Sequence, residues 1–223
     1  MRVVDCTGPL APGMWHYGDP FRPYAAEVIA TVAEFGYRAM RLELTTHMGT
    51  HMDAPKHWWE ERGGTDAIDL SPFVGPARTL AVAEADRPLT EITPAMLEAA
   101  GGEALRAGEV AVVVTGWHRR WFEPDFASAT PFLSRAATQW LIDRGVRLVA
   151  TDTALCCDPR EGETRVAPGV RIPDHMLLDS GVPYVNAIVP AEPLPPEGYW
   201  FLALPLRIAD GDGSPVRAAA VLP

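Results

Sequence analysis

The sequence predicts a mixed α/β domain in which helices pack on a mixed sheet, and two observations support this fold class. In the second half of the chain, segments with helix start and stop signals alternate with short apolar strands, which is typical of parallel strand pairing. In the first half strands predominate, which favours antiparallel hairpins. The 223 residues are 48% hydrophobic and 22% charged, an ordinary globular composition, so we expect residues 1–223 to form a single domain.

Three helices are predicted from the residues at their ends. Thr93 and Ser134 are favourable N-caps, because a hydroxyl oxygen can accept a hydrogen bond from a backbone N–H of the first turn. A proline begins the first and third helices, and a glycine follows each of the three and favours termination. These signals predict helices over residues 94–100, 134–144 and 173–180.

The predicted strands contain β-branched, aromatic or alternating apolar residues. They span residues 2–6, 37–46, 77–85, 109–115, 147–152, 184–188 and 199–206. The two longest regions without a predicted element, residues 8–25 and 117–130, are rich in aromatic side chains. Because loops of this kind often line pockets, we expect them to border a binding site.

The charge of the chain argues against several kinds of partner. Lys and Arg number 19 against 29 Asp and Glu, which gives a net charge of −10 and a surface unsuited to nucleic acid or anionic lipid. No apolar stretch approaches the ~20 residues that cross a bilayer. We therefore expect a small-molecule substrate, and neither a nucleic acid nor a membrane as partner.

The N-terminal residues and the cysteines indicate a cytoplasmic protein. Residues 1–13 contain an acid and several polar or bending residues, and they lack the apolar segment of a secretion signal. The cysteines, Cys6, Cys156 and Cys157, are odd in number and lack the spacing of a zinc knuckle. We expect buried structural thiols in a reducing compartment, with a reactive thiolate at the adjacent pair as an alternative.

Half of the six histidines lie in one short segment, which carries the strongest functional signal. From His47 the segment reads H-x-G-T-H-x-D-x-P-x-H, with His51, Asp53 and His57 as its other polar members. Its glycine, proline and threonines oppose a helix, so extended chain is expected. A fully extended path would separate the Cα atoms of His47 and His51 by about 13 Å. The chain must therefore bend if both side chains bind one ion, and Gly49 permits the bend.

Two imidazoles and one carboxylate form a ligand set suited to Zn²⁺ or Mn²⁺, with Fe²⁺ also compatible. Such a set leaves coordination positions open for water or substrate, which is typical of catalytic sites. His57 lies beyond the proline turn, so the sequence places it near the metal without making it a ligand. We expect His57 to act as a proton shuttle.

The histidine segment resembles the signature of the metal-dependent cyclase family, which includes bacterial kynurenine formamidases, isatin hydrolases and certain polyketide cyclases. The resemblance extends to Val4-Asp5-Cys6-Thr7, Tyr17-Gly18-Asp19, Thr115-Gly116-Trp117 and Asp212-Gly213-Ser214-Pro215-Val216-Arg217-Ala218. It implies a swivelling β/β/α fold and a homo-oligomer, either a dimer or a tetramer. It also implies three metal ligands, His47, His51 and Asp53. The catalytic acid/base would then be His57.

Three positions depart from the family pattern. Formamidase-like members hold a second metal with a His and, twelve residues later, a Glu, and Asp174 and Asn186 stand at these positions here. An amide is a weaker ligand than a carboxylate, so we expect one divalent ion, with Asn186 and Asp174 as candidate ligands and a two-metal site as the less favoured alternative. In the formamidases, the position of His16 is held by a Trp that is expected to contact the aromatic ring of the substrate. The candidate substrate-binding residues are His16, Trp15 and Trp58.

Three functions remain open from the sequence. The leading hypothesis is a metal-dependent hydrolase of an amide or lactam bond in a small aromatic molecule, in which the ion activates water and His57 protonates the leaving nitrogen. The same residues would suit a polyketide cyclase, in which the metal stabilises an enolate formed by His57. The third is a metal-binding protein without turnover, and the intact histidine segment argues against it.

Overall fold

The computed structural model describes residues 1–160 and 171–223, and it confirms the mixed α/β class. The strands are β1 (Arg2–Asp5), β2 (Ala25–Ala30), β3 (Ala39–Glu43), β4 (His51–Asp53), β5 (Val74–Ala81), β6 (Glu91–Ile92), β7 (Val110–Val114), β8 (Phe132–Leu133), β9 (Leu148–Thr151), β10 (Tyr184–Asn186), β11 (Tyr199–Pro205) and β12 (Gly213–Leu222). The α-helices are α1 (Val32–Phe35), α2 (Pro94–Ala99), α3 (Arg135–Asp143) and α4 (Pro173–Asp179). The assignment of residues 1–223 to a single domain stays a prediction.

Eight strands form one mixed sheet in the order β1-β12-β11-β5-β7-β9-β10-β4. β4 pairs with β12 as well as with β10, so the sheet closes on itself and becomes barrel-like, while β1 lies beside β12 as an additional strand. Because closure leaves no free edge at β4, both sides of this strand are hydrogen-bonded to neighbours. β4 is thus well anchored although it is only 3 residues long.

The directions of strand pairing agree with the sequence prediction. β5, β7, β9 and β10 are parallel neighbours, and α2, α3 and α4 each lie between two consecutive members of this group. In the first half of the chain, β2 and β3 form an antiparallel hairpin. The remaining pairs of the large sheet, which involve β1, β4, β11 and β12, are antiparallel.

β7 shows that the parallel strands are buried on both faces. Its side chains alternate between two apolar clusters. Val110 and Val112 contact the cluster inside the barrel, whereas Ala111 and Val113 contact the cluster beneath the helices. The helices α2, α3 and α4 contribute Leu97, Leu141 and Leu177 to this second cluster. A continuous apolar run such as that of β7 is typical of a parallel strand between two layers.

The helix end signals in the sequence are confirmed. The hydroxyl oxygen of Thr93 accepts a first-turn backbone N–H at 3.4 Å in α2, and that of Ser134 accepts one at 2.9 Å in α3. Each cap of this kind contributes about 1 kcal/mol. Gly101 and Gly145 follow the two helices with φ of +90° and +68°. None of the described helices has the length and apolar character needed to cross a membrane.

β12, the longest described strand with 10 residues, lies outside the predicted strands. Its sequence contains Gly213, Pro215 and three consecutive alanines, all of low strand propensity. Long-range pairing decides its conformation, because β11 bonds one edge of the strand while β4 and β1 share the other. β2 and β4 are likewise absent from the predicted strands, although β4 falls in the segment for which extended chain is predicted.

The hairpin of β2 and β3 projects from the sheet with almost every residue exposed. One face is apolar and carries the opposed pairs Ala26–Leu42 and Val28–Met40. The other face is charged, with Glu27 opposite Arg41 in an ion pair. Val28, Met40 and Leu42 are 40–50% exposed. The connection between the strands adds further exposed apolar residues, Val32, Phe35 and Tyr37.

Candidate metal centre

β4 carries two of the predicted metal ligands. His51 and Asp53 are two residues apart in an extended strand, so their side chains lie on the same face. The strand register places Asn186 of β10 opposite His51 and Gly213 of β12 opposite Asp53. Main-chain hydrogen bonds on both edges of β4 therefore hold these two ligands in place.

The predicted bend between His47 and His51 is present, and Gly49 provides it. The φ of Gly49 is +66°, in the left-handed region that favours glycine. The bend returns His47 to the face of β4, where the ring centroids of His47 and His51 are 5.5 Å apart. A continuous extended strand could not bring these rings together, because it would carry them about 13 Å apart.

Three potential ligand atoms converge at this point. Nδ1 of His47 lies 2.8 Å from Oδ1 of Asp53, and Nε2 of His51 lies 3.4 Å from the same oxygen. One ligand atom from each of the three residues lies within 4.8 Å of the others, and all three residues are buried. Two imidazole nitrogens and a carboxylate oxygen at these separations fit one divalent ion.

The second nitrogen of each imidazole is hydrogen-bonded to the chain. Nδ1 of His51 donates to the carbonyl oxygen of Gly49 at 2.9 Å, and Nε2 of His47 donates to Oδ2 of Asp212 at 2.9 Å. A neutral imidazole that donates from one nitrogen presents a lone pair on the other. In both residues the remaining nitrogen is the one near Asp53, so these bonds leave that nitrogen as the one that can bind a cation once it carries no proton.

The two histidines have opposite pKa shifts. Complete burial lowers the pKa of His51 to about 4, so the ring is neutral over the physiological range. Burial would also lower the pKa of His47, but the charge of Asp53 and the hydrogen bonds to Asp212 and Asp53 outweigh it and raise this pKa to about 9. His47 in turn holds the pKa of Asp53 below its usual range, although burial alone would raise it.

Tyr184 holds the second oxygen of Asp53. Its hydroxyl donates to Oδ2 of Asp53 at 2.6 Å, and Nε1 of Trp58 donates to the same hydroxyl at 3.3 Å. Tyr184 is completely buried on β10, so water does not compete for this bond. With Oδ2 engaged in this way, Oδ1 of Asp53 is the oxygen that approaches the two histidines.

His57 lies beside the three converging ligands. It ends the short 3-10 turn Pro55–His57, which follows β4 after a single residue. The ring centroids of His57 and His47 are 4.0 Å apart, and Nδ1 of His57 is 3.4 Å from Oδ2 of Asp212. His47, His57 and Asp212 form a second group with ligand atoms within 4.8 Å, which shares His47 with the first. The role of His57 as acid/base stays a prediction.

Asp174 and Asn186, the other two candidate ligands, are buried close by. Burial followed by the charge of Asp53 raises the pKa of Asp174 to about 7. Asp174 belongs to no converging ligand group among the described His, Cys, Asp and Glu side chains. Oδ2 of Asp174 and Nδ2 of Asn186 have no hydrogen-bond partner within the described part of the chain. Their role as ligands stays a prediction.

The cysteines are buried free thiols, as the sequence suggests. Sγ of Cys156 donates to Oδ1 of Asn186 at 3.4 Å. Burial raises the pKa values of Cys156 and Cys157 well above the usual value, and the charge of Asp174 adds to both shifts. These thiols therefore stay protonated, which argues against the alternative of a reactive thiolate.

A cavity of about 790 Å³ reaches this group of residues. Its wall comes from both of the aromatic loop regions that the sequence predicts to line a pocket, and it includes Asp53 and Asp174. The three candidate substrate-binding residues, Trp15, His16 and Trp58, all line the cavity. Their contact with a substrate stays a prediction.

Aromatic side chains of the N-terminal loop pack on His47 and His51, the two histidines among the candidate metal ligands. The ring of Tyr17 meets that of His51 edge-on at 6.0 Å between centroids, and Phe21 meets His47 in the same way at 5.8 Å. The Tyr17 hydroxyl donates to the carbonyl oxygen of Ala154 at 2.6 Å, which fixes the loop over the site. The wall of the cavity beside the histidines is therefore aromatic and suited to stacking a planar ring.

Asp212 and Tyr184 are missing from the site residues predicted from the sequence. In the sequence, Asp212 is recognisable only as the first residue of the C-terminal motif of the resemblance. Tyr184 is recognisable only as the first residue of a predicted strand. Both act through side chains that lie far away in sequence, since Asp212 is 165 positions from His47 and Tyr184 is 131 positions from Asp53. Pattern and spacing in a single segment do not reveal such contacts.

The fold and the buried His-His-Asp group define the class of protein as an α/β enzyme with a site for a divalent metal ion. Comparison with known proteins supports this class. The sequence profile of the Cyclase family matches residues 4–156, and the chain therefore belongs to the cyclase family.

Curated relatives and a solved structure extend this comparison. The chain is 34% identical to a kynurenine formamidase of Salinibacter ruber, with 98% of this chain and 96% of the relative covered. It is 30% identical to a kynurenine formamidase of Bordetella avium, with 96% and 92% covered. Isatin hydrolase A from Ralstonia solanacearum superposes with a TM-score of 0.85 at 25% identity, and the match covers 100% of this chain and 92% of that one. The chain is accordingly a hydrolase, as the leading hypothesis states.

Proposed function

We propose that this protein is a metal-dependent hydrolase that cleaves an amide or lactam bond in a small aromatic molecule. The observation that carries the proposal is the convergence of His47, His51 and Asp53 beside an aromatic-lined cavity. The names of its relatives, a kynurenine formamidase and an isatin hydrolase, both refer to an aromatic compound with an amide bond. These relatives favour the hydrolase over the cyclase and over a protein without turnover.

The proposed cofactor is one divalent ion, Zn²⁺ or Mn²⁺, held by His47, His51 and Asp53. The imidazole nitrogens that face Asp53 and the orientation of the carboxylate suit this role, and His47 would lose its proton when the ion binds. When bound, such an ion supplies Lewis acidity, which polarises a carbonyl group and lowers the pKa of a water molecule. Tyr184 keeps Oδ1 of Asp53 directed at the site by engaging Oδ2.

His57 is the proposed proton carrier. Its Nδ1 faces Asp212, so Nε2 is the nitrogen that would give a proton to the nitrogen leaving the cleaved bond. The side chain of His57 is only 10% exposed, which limits exchange of its proton with bulk water. The aromatic wall formed by Tyr17, Phe21 and Trp58 would orient a planar substrate against the carboxylate and histidines.

The test is metal analysis and turnover with protein purified without a polyhistidine tag. We expect a bound divalent transition metal, loss of activity with a chelator, and hydrolysis of N-formylkynurenine or isatin. The variant His51→Ala should lose both metal and activity. His57→Ala should retain the metal while turnover falls by about 10²–10⁴-fold. A metal-free protein with full activity would refute the proposal, and undiminished turnover in His57→Ala would refute the role of His57.

We also propose a homo-oligomer in which a second copy of this chain covers the apolar face of the β2–β3 hairpin. A two-stranded hairpin is marginally stable in water without a packing partner. Here the polar face pairs Glu27 with Arg41, whereas Val28, Met40 and Leu42 on the opposite face remain about half exposed. A two-fold axis would bring two identical apolar faces together. The hairpin connects the loop before Ala25 with the segment leading to His47, so such contacts would also stabilise the walls of the site.

We also propose that the protein is located in the cytoplasm. It is supported by three buried free cysteines, which suit a reducing compartment. The substrate is a small molecule, because the cavity of about 790 Å³ is of the size that encloses one. Nucleic acid and membranes are not proposed as partners, since the net charge is −10.

A further inference from the structure

Asp212 lies immediately before β12, at the seam where this strand meets β4. Its carbonyl oxygen accepts a hydrogen bond from the backbone N–H of Ala54 at 2.8 Å, directly after the ligand Asp53. The next residue, Gly213, leaves space for the metal-binding ring, since a Cβ there would come within 2.6 Å of Cε1 of His47. The backbone on both sides of the seam is therefore shaped to bring Asp212 and His47 together.

Three donors surround the carboxylate of Asp212. Oδ2 accepts from Nε2 of His47 at 2.9 Å and lies 3.4 Å from Nδ1 of His57. Oδ1 accepts from the hydroxyl of Thr46 at 2.8 Å, which fixes the plane of the carboxylate. The same oxygen, Oδ2, thus contacts a metal ligand on one side and the proposed proton carrier on the other.

These contacts determine which ring nitrogen of His47 would bind the ion and which ring nitrogen of His57 would transfer a proton. When Nε2 of His47 donates to Asp212, Nδ1 is the nitrogen that faces Asp53 and would bind the ion after losing its proton. When Nδ1 of His57 donates to the same carboxylate, Nε2 is the nitrogen that exchanges a proton. Removal of the Asp212 carboxylate would take this contact away from both rings, which would favour their rotation or a change of tautomer.

We infer that Asp212 is a positioning residue that orients the metal ligand His47 and the proton carrier His57 through one shared carboxylate oxygen. This inference rests on the proposed function for the tasks of the two histidines. Residues that orient metal ligands in this way typically contribute 10–100-fold in metal affinity or activity.

The test compares Asp212→Ala and Asp212→Asn with the wild-type protein, using Co²⁺ as the probe. Affinity is measured by competition with a chromophoric chelator, and the visible spectrum of bound Co²⁺ reports its coordination. We expect Asp212→Ala to bind Co²⁺ about 10–100-fold more weakly with an altered spectrum. Asp212→Asn keeps an acceptor oxygen and should lose less Co²⁺ affinity than Asp212→Ala. At saturating metal, kcat should fall while KM changes little, because the orientation of His57 is also lost.

Asp5→Ala is the matched control. Asp5 lies on β1, pairs with Arg217 of β12, and its side chain is 42% exposed against 41% for Asp212. We expect unchanged Co²⁺ affinity in this variant. Equal losses in Asp5→Ala and Asp212→Ala would overturn the inference, because a general weakening of the sheet would then explain both. Wild-type affinity, spectrum and kcat in Asp212→Ala would overturn it as well.

Thr46→Val provides an independent variant should Asp212→Ala not fold. It removes only the hydroxyl that fixes Oδ1 of Asp212, so a smaller loss of Co²⁺ affinity with the same spectral change is expected. An unchanged affinity and spectrum would contradict the inference. If the wild-type protein binds Co²⁺ but hydrolyses no aromatic amide, the proposed function fails, whereas the affinity comparison still decides the role of Asp212.

Discussion

At the scale of single residues, hydrogen bonds hold the three candidate metal ligands in place. Gly49 and Asp212 each engage one imidazole nitrogen, and Tyr184 engages one oxygen of Asp53. Since the three candidate ligands themselves are buried, little water competes for these bonds, and each bond favours one orientation. The atoms that remain for a cation are those that already converge. Binding therefore requires little rearrangement of the side chains.

The raised pKa of His47 predicts that metal binding releases a proton. In the metal-free protein this pKa is about 9, so below that pH the ring carries a proton that the ion must displace. The apparent affinity should rise about tenfold per pH unit as the pH increases toward 9. Near pH 8, where Asp174 with a pKa of about 7 is already mostly ionised, calorimetry in buffers of different ionisation enthalpy should detect about one proton released.

The raised pKa of His47 also makes the folding stability of the metal-free protein depend on pH. A pKa raised from 6.5 to about 9 stabilises the metal-free protein fully below pH 6.5, and this contribution is lost as the pH rises through 9. An absence of proton release near pH 8 would show that His47 is neutral before the ion binds. The arrangement of Asp53 and Asp212 around His47 would then need another explanation.

Tyr184→Phe should weaken both folding and metal binding. It removes the hydroxyl that donates to Oδ2 of Asp53, and a hydrogen bond to a charged group is worth about 1.5–3 kcal/mol. Freed from this bond, Asp53 can turn Oδ1 away from the histidines, so Co²⁺ affinity should fall about 10-fold or more. Urea unfolding of the metal-free protein and chelator competition measure the two effects.

Tyr199→Phe is the control for this substitution. Tyr199 is equally buried in the barrel, and its hydroxyl is hydrogen-bonded to that of Thr79 at 2.7 Å, away from the ligands. This variant should lose stability with no change in Co²⁺ affinity. If both tyrosine variants keep wild-type affinity, the orientation of Asp53 does not depend on Tyr184.

At the scale of the elements, the bend before β4 and the strand itself act together. β4 fixes His51 and Asp53 by pairing on both edges, whereas Gly49 sets the direction from which His47 arrives. Gly49→Ala should cost about 1–2 kcal/mol of stability, because φ is +66° there. It should also weaken Co²⁺ binding, because relief of this strain moves His47 relative to β4.

Gly36→Ala separates the loss of stability from the loss of Co²⁺ affinity. Gly36 has a similar φ of +77°, but it lies at the end of α1 in the hairpin and a Cβ there would have open space. Denaturant unfolding should show a similar loss of stability, with unchanged affinity for Co²⁺. Equal affinities in the two glycine variants would mean that the position of His47 does not depend on the bend.

Elements with local signals were predictable from the sequence, and those held by distant partners were not. α2 and α3 have capping hydroxyls and terminal glycines within a few residues, and the structure contains both caps. β12 has an alanine-rich sequence whose conformation depends on β11, β4 and β1. For the same reason the segment from His47 to His57 could be interpreted from its own residues, whereas Asp212 could not.

At the scale of the whole molecule, the β2–β3 hairpin is a feature that packing within residues 1–160 and 171–223 does not explain. If its apolar face is covered by a second copy, the double variant Val28→Glu, Leu42→Glu should shift the protein from oligomer to monomer. Light scattering coupled to size-exclusion chromatography measures the mass. Arg41→Gln, on the charged face, is the control and should leave the mass unchanged. A wild-type monomer, or an unaltered oligomer in the double variant, would contradict the proposed interface.

Closure of the barrel at the β4–β12 seam would also influence when the protein can acquire a divalent ion. During synthesis the residues of β4 leave the ribosome early, whereas Asp212, which lies 165 positions after His47, and the strand that follows it emerge much later. Until then β4 lacks its partner on one edge and His47 lacks its acceptor. We therefore expect residues 47–53 of the nascent chain to bind a divalent ion more weakly than the closed barrel does, so that metal loading would follow completion of the barrel.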